Sequence, residues 1–546
     1  METARSGPQE LHVAVAEFVD RLVVELEPLQ RQHHEALWTA SITGEAAHVE
    51  ESARLDARIR KIFARPKPYE FLRGAREAGG VSDPLLRRQL ELLVDQFRAH
   101  QIAPETIDRM VGLEKGLDSR FNNFRAELDG QRVSDNRIRE ILHRSDDSAE
   151  RKRAWEASKQ IGGEVVADLL ELVRLRNQAA RGLGFANYYS MMLALDELDE
   201  AELFSVLDLL ERGTRPRFEA YKRDLDARLG RRFRVAEADL RPWHYGDPFF
   251  QEAPAGGADL DRHFQDRSLA ELTRRFFSSI GLDIGDLLER ADLYERPGKS
   301  QHAFCLAVDR GDDVRVLCNV RPNEFWMGTM LHEFGHAAYE KYIDRSLPYL
   351  LRTPAHTLTT EASAMLFGRL SKNAAWLERY AGADPEEARR ESEAAGQAVR
   401  DQLLVQSRWC LVMCHMEREL YRDPGQDLGQ RWWDLVEEFQ RVRRPEGRVA
   451  PDWASKIHFS VAPVYYHNYM LGEIMASQLQ DRLRGEVAHD GERAWARYVT
   501  SPEIGLELRE KLYRSGRSTD WREAIRRATG QALSPSAFVE DLAGRG

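Results

Sequence analysis

The sequence predicts a mainly α-helical protein with one short β-sheet, and three observations carry that expectation. Apolar residues recur at i, i+3 and i+4 through most long segments, which places them on one face of a helix. One stretch, 302–320, changes to a strand-like pattern. No uninterrupted apolar run approaches the ~18–20 residues that a membrane span requires.

Composition narrows the function classes. The 546 residues are 42% hydrophobic and 31% charged, which is ordinary for a globular chain. Lys and Arg total 79 against 90 Asp and Glu, a formal charge of −11. Nucleic acid and anionic membrane both need a basic footprint, so neither is expected as a partner. The opening residues, METARSGPQELHVAVAEF, lack a basic region followed by an apolar one, so no secretory signal is expected. Four cysteines are too few for a disulfide framework and are expected as buried thiols in a cytoplasmic protein.

Taken in order, apolar stripes run through 11–45, 86–100, 201–229, 268–281, 395–422 and 463–483. The clearest lies in 164–181, where Val165, Val166, Leu169, Leu172, Val173 and Leu175 share a face. Gly182 and Gly184 close that segment. Pro- and Gly-rich breaks fall at 64–68, 241–259 and 444–451. The second of these, RPWHYGDPFFQEAPAGGAD, carries too many aromatics for a plain linker and is expected as an ordered loop near a cleft. Residues 302–308 and 314–320 are β-tending runs around Asp309-Arg310-Gly311-Asp312-Asp313, which predicts a hairpin.

Directly downstream stands His332-Glu333-Phe334-Gly335-His336. On a helix, residues four apart project from one face, separated by about 6 Å along the axis. Two imidazoles so placed can share one Zn²⁺, and Glu333 can reach a metal-bound water without being a ligand. Apolar Met330, Leu331, Phe334, Ala337 and Ala338 can pack such a helix inward. A catalytic zinc needs a third protein ligand and one open position. Thr359-Thr360-Glu361-Ala362-Ser363-Ala364 opens another apolar helix, with Thr359 or Thr360 as its N-cap and Glu361 in its first turn. Glu340 competes, being four residues beyond His336, but a separate helix completes a tetrahedron more easily. Glu361 is preferred as the ligand.

At this point the sequence resembles the gluzincin peptidases, in particular the angiotensin-converting-enzyme-like peptidyl-dipeptidase family, over roughly its last 400 residues. The resemblance is densest in QHAFCLAVDRGDDVRVLCNV, in HEFGH with Glu361, and in KIHFSVAPVYYHNY at 456–469; RNQAARGLGFANYY at 176–189 is similar to the family's scaffold helix. Thimet-oligopeptidase-like enzymes and thermophile-type carboxypeptidases share these features and remain close alternatives. The expected architecture is a two-lobed helical ellipsoid with a deep central cleft and a small β-sheet beside the zinc helix. The whole chain is expected as one catalytic unit, with the helices of 1–150 as lid and lobe and 151–546 as scaffold and zinc site.

The resemblance implies a zinc cofactor on His332, His336 and Glu361, with Glu333 as general base. It implies that His302 and His458 bind substrate carbonyls and that Ala303 pairs with the peptide backbone. Lys456 matches the lysine on the substrate's terminal carboxylate, Tyr466 its partner, and Tyr469 the tyrosine that stabilises the oxyanion. The sequence also departs from the family. Asn468 replaces a chloride-binding arginine, and Gln301 replaces a disulfide cysteine. One extra residue precedes the tyrosine pair, leaving Tyr465 or Tyr466 at the carboxylate position. The carboxylate-binding glutamine is expected to be absent, with Trp243-His244-Tyr245 in its region. The implied activity is zinc-dependent hydrolysis of short peptides, releasing C-terminal dipeptides. An oligoendopeptidase or a one-residue metallocarboxypeptidase are the alternatives. A non-enzymatic peptide-binding relative is disfavoured because base and ligands are all present.

Overall fold

A computed structural model describes residues 8–254, 258–487 and 494–544. Helix starts are marked by short polar side chains that accept a first-turn N–H, as the chemistry of an N-terminus requires. Asp83, Ser134, Asp147, Asn187, Asp199, Ser268 and Asn323 all do so. The apolar stripes become the helices Pro8–Thr43, Pro84–Ala99, Ser148–Gly182, Glu200–Phe233, Leu269–Ser279, Pro385–Arg422 and His467–Val487. The break expected over 64–68 shrinks to two residues, because the helix Pro66–Ala78 begins on Pro66. Proline is well tolerated at that first position, where its missing N–H has no intrahelical partner to lose.

The protein is mainly α-helical, and the described residues form two small antiparallel two-stranded sheets. One, Ala126–Leu128 with Gln131–Val133, was not anticipated. Its turn is Asp129-Gly130, both left-handed at φ 51° and 78°, a strong hairpin signal that three-residue strands make easy to miss. The anticipated sheet is shorter than its sequence pattern, pairing Phe304–Ala307 with Val314–Leu317. Its turn is held by Asp309, whose Oδ1 accepts from Gly311 N at 2.8 Å and Asp313 N at 3.1 Å. Arg310, not Gly311, takes the left-handed conformation there. Gly311 is needed instead for closeness, since a Cβ would lie 3.0 Å from the Asp309 carboxylate oxygens.

The chain divides into two compact units. The first contains residues up to Gln101, Ala258–Ala394 and Leu471–Ser534; the second contains Ile102–Gly257, Ala395–Met470 and the stretch from Pro535. The segment 1–150 is therefore shared between them. In the first unit the N-terminal helices bury a cluster that includes Val15, Leu22, Leu26, Phe63, Leu93 and Phe97. In the second, the helix Ser148–Gly182 packs against the helices Pro104–Asn123 and Asp135–Arg144. Three of the four thiols are buried, whereas Cys305 is half-buried; all four are free. Among the described residues, no helix is long and apolar enough to cross a membrane.

Phe97 is completely buried and packs edge-on against Phe63 at 5.1 Å. Phe97→Ala is expected to cost about 3–5 kcal/mol, read as a lower urea midpoint. An unchanged midpoint would show that this cluster contributes little to stability.

Candidate active site

The helix Glu324–Tyr342 presents His332, Glu333 and His336, and the helix Thr357–Gly368 presents Glu361. Glycines let these backbones meet. A Cβ on Gly335, inside the motif, would lie 2.8 Å from Ala364 Cα and 3.0 Å from Ser363 O. Ser363 Oγ donates to Gly335 O at 3.2 Å across the same contact. Gly368 faces His332 Cβ in the same way, at 3.2 Å, and Gly472 faces Glu361 Cβ at 3.0 Å. The expected N-cap is corrected. The cap is His356, whose Nδ1 accepts from Leu358 N at 3.0 Å, with Thr359 bonding back to His356 N. An imidazole lone pair thus does the work expected of a threonine, and Glu361 lies in the second turn.

His332 Nε2 and His336 Nε2 each lie 3.9 Å from Glu361 Oε2. These three side chains form a group whose ligand atoms all fall within 4.8 Å of one another. Ligand atoms around a tetrahedral zinc stand about 3.3 Å apart, so small side-chain rotations close the observed spacing onto an ion. Two imidazoles and a carboxylate are a donor set that leaves zinc one open position. Burial pushes His332 down to about 4, and burial, then repulsion from His332 when both would be protonated, pushes His336 down to about 3. Both rings are therefore neutral, with lone pairs available. His336 Nδ1 bonds Thr360 Oγ1 at 2.7 Å, which directs its Nε2 towards Glu361. Glu333 is 7% exposed, and burial plus the nearby Glu361 charge raise it to about 8. Glu340 is not part of the metal group.

His302 and Ala303 lie just before the strand Phe304–Ala307, with His302 exposed and Ala303 half-buried. Among the described residues the strand pairs only with Val314–Leu317.

A second group of residues assembles within the second unit. Lys456 is 8% exposed, and its Nζ donates to Gln251 Oε1 at 2.7 Å. The same ammonium lies 5.1 Å from the ring centres of Phe249 and Trp409 and 5.8 Å from that of Tyr466. Trp409 Nε1 donates to Tyr466 Oη at 2.5 Å, and the His458 and Tyr466 rings stand 5.0 Å apart. Of the two tyrosines left open, Tyr466 is the one placed beside Lys456. Tyr469 packs its ring 5.3 Å from Tyr466 and is 37% exposed. Burial, then the Lys456 charge, push His458 down to about 4, and its buried Nδ1 has no hydrogen-bond partner among the described residues.

Gln251, the residue on the Lys456 ammonium, was not singled out in the sequence. It belongs to the aromatic loop, two residues beyond Phe249, and is held there by buried Asp247. The Asp247 carboxylate accepts from Phe249 N, Gln251 N and Glu252 N at 2.8, 3.0 and 3.1 Å. Gln440 Nε2 donates to Phe250 O at 2.7 Å, fixing the loop from its other side. The signal was present as FFQ in a loop too aromatic for a linker. Thr360 was also missed as a partner of His336, having been considered only as a cap.

Residues 288–544 match the family described as peptidase family M3, and residues 10–225 match the family described as angiotensin-converting enzyme. Both are gluzincin metallopeptidase families that use a catalytic zinc. The first match contains the hairpin, the metal group and 456–469; the second contains 176–189. No curated protein matches the sequence.

Gly335→Ala places a methyl group on the backbone of the neighbouring helix and forces the two apart. The expected result is a stability loss of about 1–3 kcal/mol and zinc affinity weakened by at least ~10-fold, measured by competition with a chelator. Wild-type affinity would show that this close contact does not set the ligand spacing.

Proposed function

We propose that this chain, a zinc metallopeptidase of the gluzincin kind, hydrolyses short peptides and releases their C-terminal dipeptides. The observation that carries the dipeptidyl reading is the buried Lys456 ammonium, bonded to Gln251 and ringed by aromatic side chains. A compact cation suits a free peptide carboxylate. The extended substrate adds to the edge of Phe304–Ala307 opposite Val314–Leu317, as a further strand bonded through backbone groups. His302 and Ala303, at the head of that strand, bind its carbonyl and backbone.

His332, His336 and Glu361 are the residues that would hold the ion. When bound, zinc supplies Lewis-acid polarisation and lowers the pKa of water towards ~7. Glu333 takes a proton from the attacking water and returns it to the leaving amine. Its burial favours that exchange, because a desolvated carboxylate holds a proton more readily. The Tyr469 hydroxyl donates to the carbonyl oxygen as negative charge develops, which is stabilisation placed where the charge appears. His458, neutral and beside Tyr466, binds the same peptide carbonyls. Four free thiols support a reducing compartment, the cytoplasm. A second reading, an oligoendopeptidase, is favoured by the match of 288–544 to peptidase family M3.

Mass spectrometry of the products tests the choice. Peptides with a free C-terminus are expected to lose dipeptides, and amidated ones to be cleaved far more slowly. Internal cleavage of both at equal rates would establish the oligoendopeptidase reading instead. Glu333→Gln is expected to lower kcat by at least ~10²–10⁴ with zinc content unchanged; wild-type turnover would remove Glu333 from the mechanism.

The pH dependence follows from Lys456, whose ammonium is pushed down to about 8 by burial. The charged form holds the carboxylate, so the grip is complete below that pH and is lost as pH rises through it. kcat/KM for a free-carboxylate peptide is expected to fall by about 10–100-fold above pH ~8. Lys456→Met should remove that limb, and its persistence would assign the titration elsewhere.

A further inference from the structure

Between His458 and Tyr466 the chain has little regular structure of its own. A single helical turn, His458–Val461, is followed by an irregular stretch before the helix His467–Val487. Yet this stretch sets the register of His458 against Tyr466 and Tyr469. What fixes it comes from two other helices of the same unit.

Arg176, on Ser148–Gly182, is 1% exposed and spends its guanidinium on this turn. Nη1 donates to Phe459 O at 3.1 Å and Tyr421 Oη at 3.0 Å, and Nη2 to Ser460 O and Glu114 Oε1, both at 2.7 Å. Glu417, on Pro385–Arg422, is 3% exposed, and its Oε1 accepts from Val464 N at 2.8 Å. Tyr421, which Arg176 engages, lies one turn further along that helix. Trp409, two turns before Glu417, donates to Tyr466 Oη. One helix therefore holds both sides of the bend.

The bend itself is unusual. Val464 has φ 57°. Among the described residues it is the one β-branched side chain with positive φ, a region such residues strongly avoid. A buried carboxylate with its oxygen on that N–H is a sufficient reason for the conformation to persist.

We propose that Glu417, supported by Arg176, is a positioning residue: it holds Val464 in the left-handed bend and thereby sets Tyr469 and His458 for the reaction. This rests on the reading above that those two residues meet the substrate. Lys456 and Gln251 are anchored separately by the Asp247 loop, so loss of the Glu417 bond should affect turnover more than carboxylate binding.

The test is kinetic, on the zinc-loaded enzyme with a free-carboxylate peptide. Glu417→Met keeps the volume and removes the acceptor; kcat is expected to fall roughly ten-fold or more, with KM changed by less than about three-fold. Adding Val464→Gly, which adopts positive φ without help, should recover most of the lost kcat. A merely structural role would not give that recovery. Glu417→Met with kcat within about two-fold of wild type, or a loss that Val464→Gly does not recover, overturns the proposal. Should Glu417→Met alone fail to fold, the double variant decides: folded and active upholds the proposal, unfolded or inactive overturns it. Tyr469→Phe, assayed alongside, reports on the underlying reading. Wild-type kcat in that variant would remove Tyr469 from the reaction whatever Glu417 does.

Discussion

The metal group depends on two helix backbones meeting at Gly335. Packed helices ordinarily stand ~8–10 Å apart, at a distance set by the side chains between them. Here the contact is backbone to backbone, Gly335 against Ser363 and Ala364. Only then can a carboxylate from one helix reach two imidazoles on the other. Gly368 and Gly472 repeat the device beneath His332 and beside Glu361, so each of the three candidate ligands sits at or one turn from a missing side chain.

Closeness also brings dryness. Met330, Leu331 and Phe334 are fully buried around the motif, and the same desolvation acts on every titratable group there. It lowers both histidines and raises Glu333 and Glu361. Each shift favours the uncharged form, as burial dictates. A site so arranged is poorly suited to isolated charges and well suited to a dication that compensates the carboxylates. Lys456 obeys the same physics in the second unit, where aromatic faces replace water around the ammonium.

The legibility of these features in the sequence follows their physical range. The HEFGH pairing is local: helical period alone puts His332 and His336 on one face. Glu361 is distant in sequence but was found by chemistry, because two imidazoles need a carboxylate from elsewhere. Gln251 escaped because its position depends on a loop tied by Asp247 and Gln440, partners 4 and 189 residues away. The cap at His356 escaped because imidazole is a rare N-cap and two threonines nearby were more usual candidates. Val464 left no trace at all, since a valine in sequence advertises a strand, and only Glu417, brought close by folding, overrides that preference. The main helices were readable because amphipathic stripes are a local signal repeated many times. The Asp129-Gly130 hairpin was readable in principle, but its strands are too short for alternation to show.

The most direct test of the account is X-ray absorption spectroscopy at the zinc edge of the metal-loaded protein. The expected first shell is two imidazole nitrogens and oxygens from Glu361 and water at about 2.0–2.2 Å, with the two-imidazole signal reduced to one in His336→Ala. A shell containing sulfur, or a spectrum unchanged by that substitution, would contradict it.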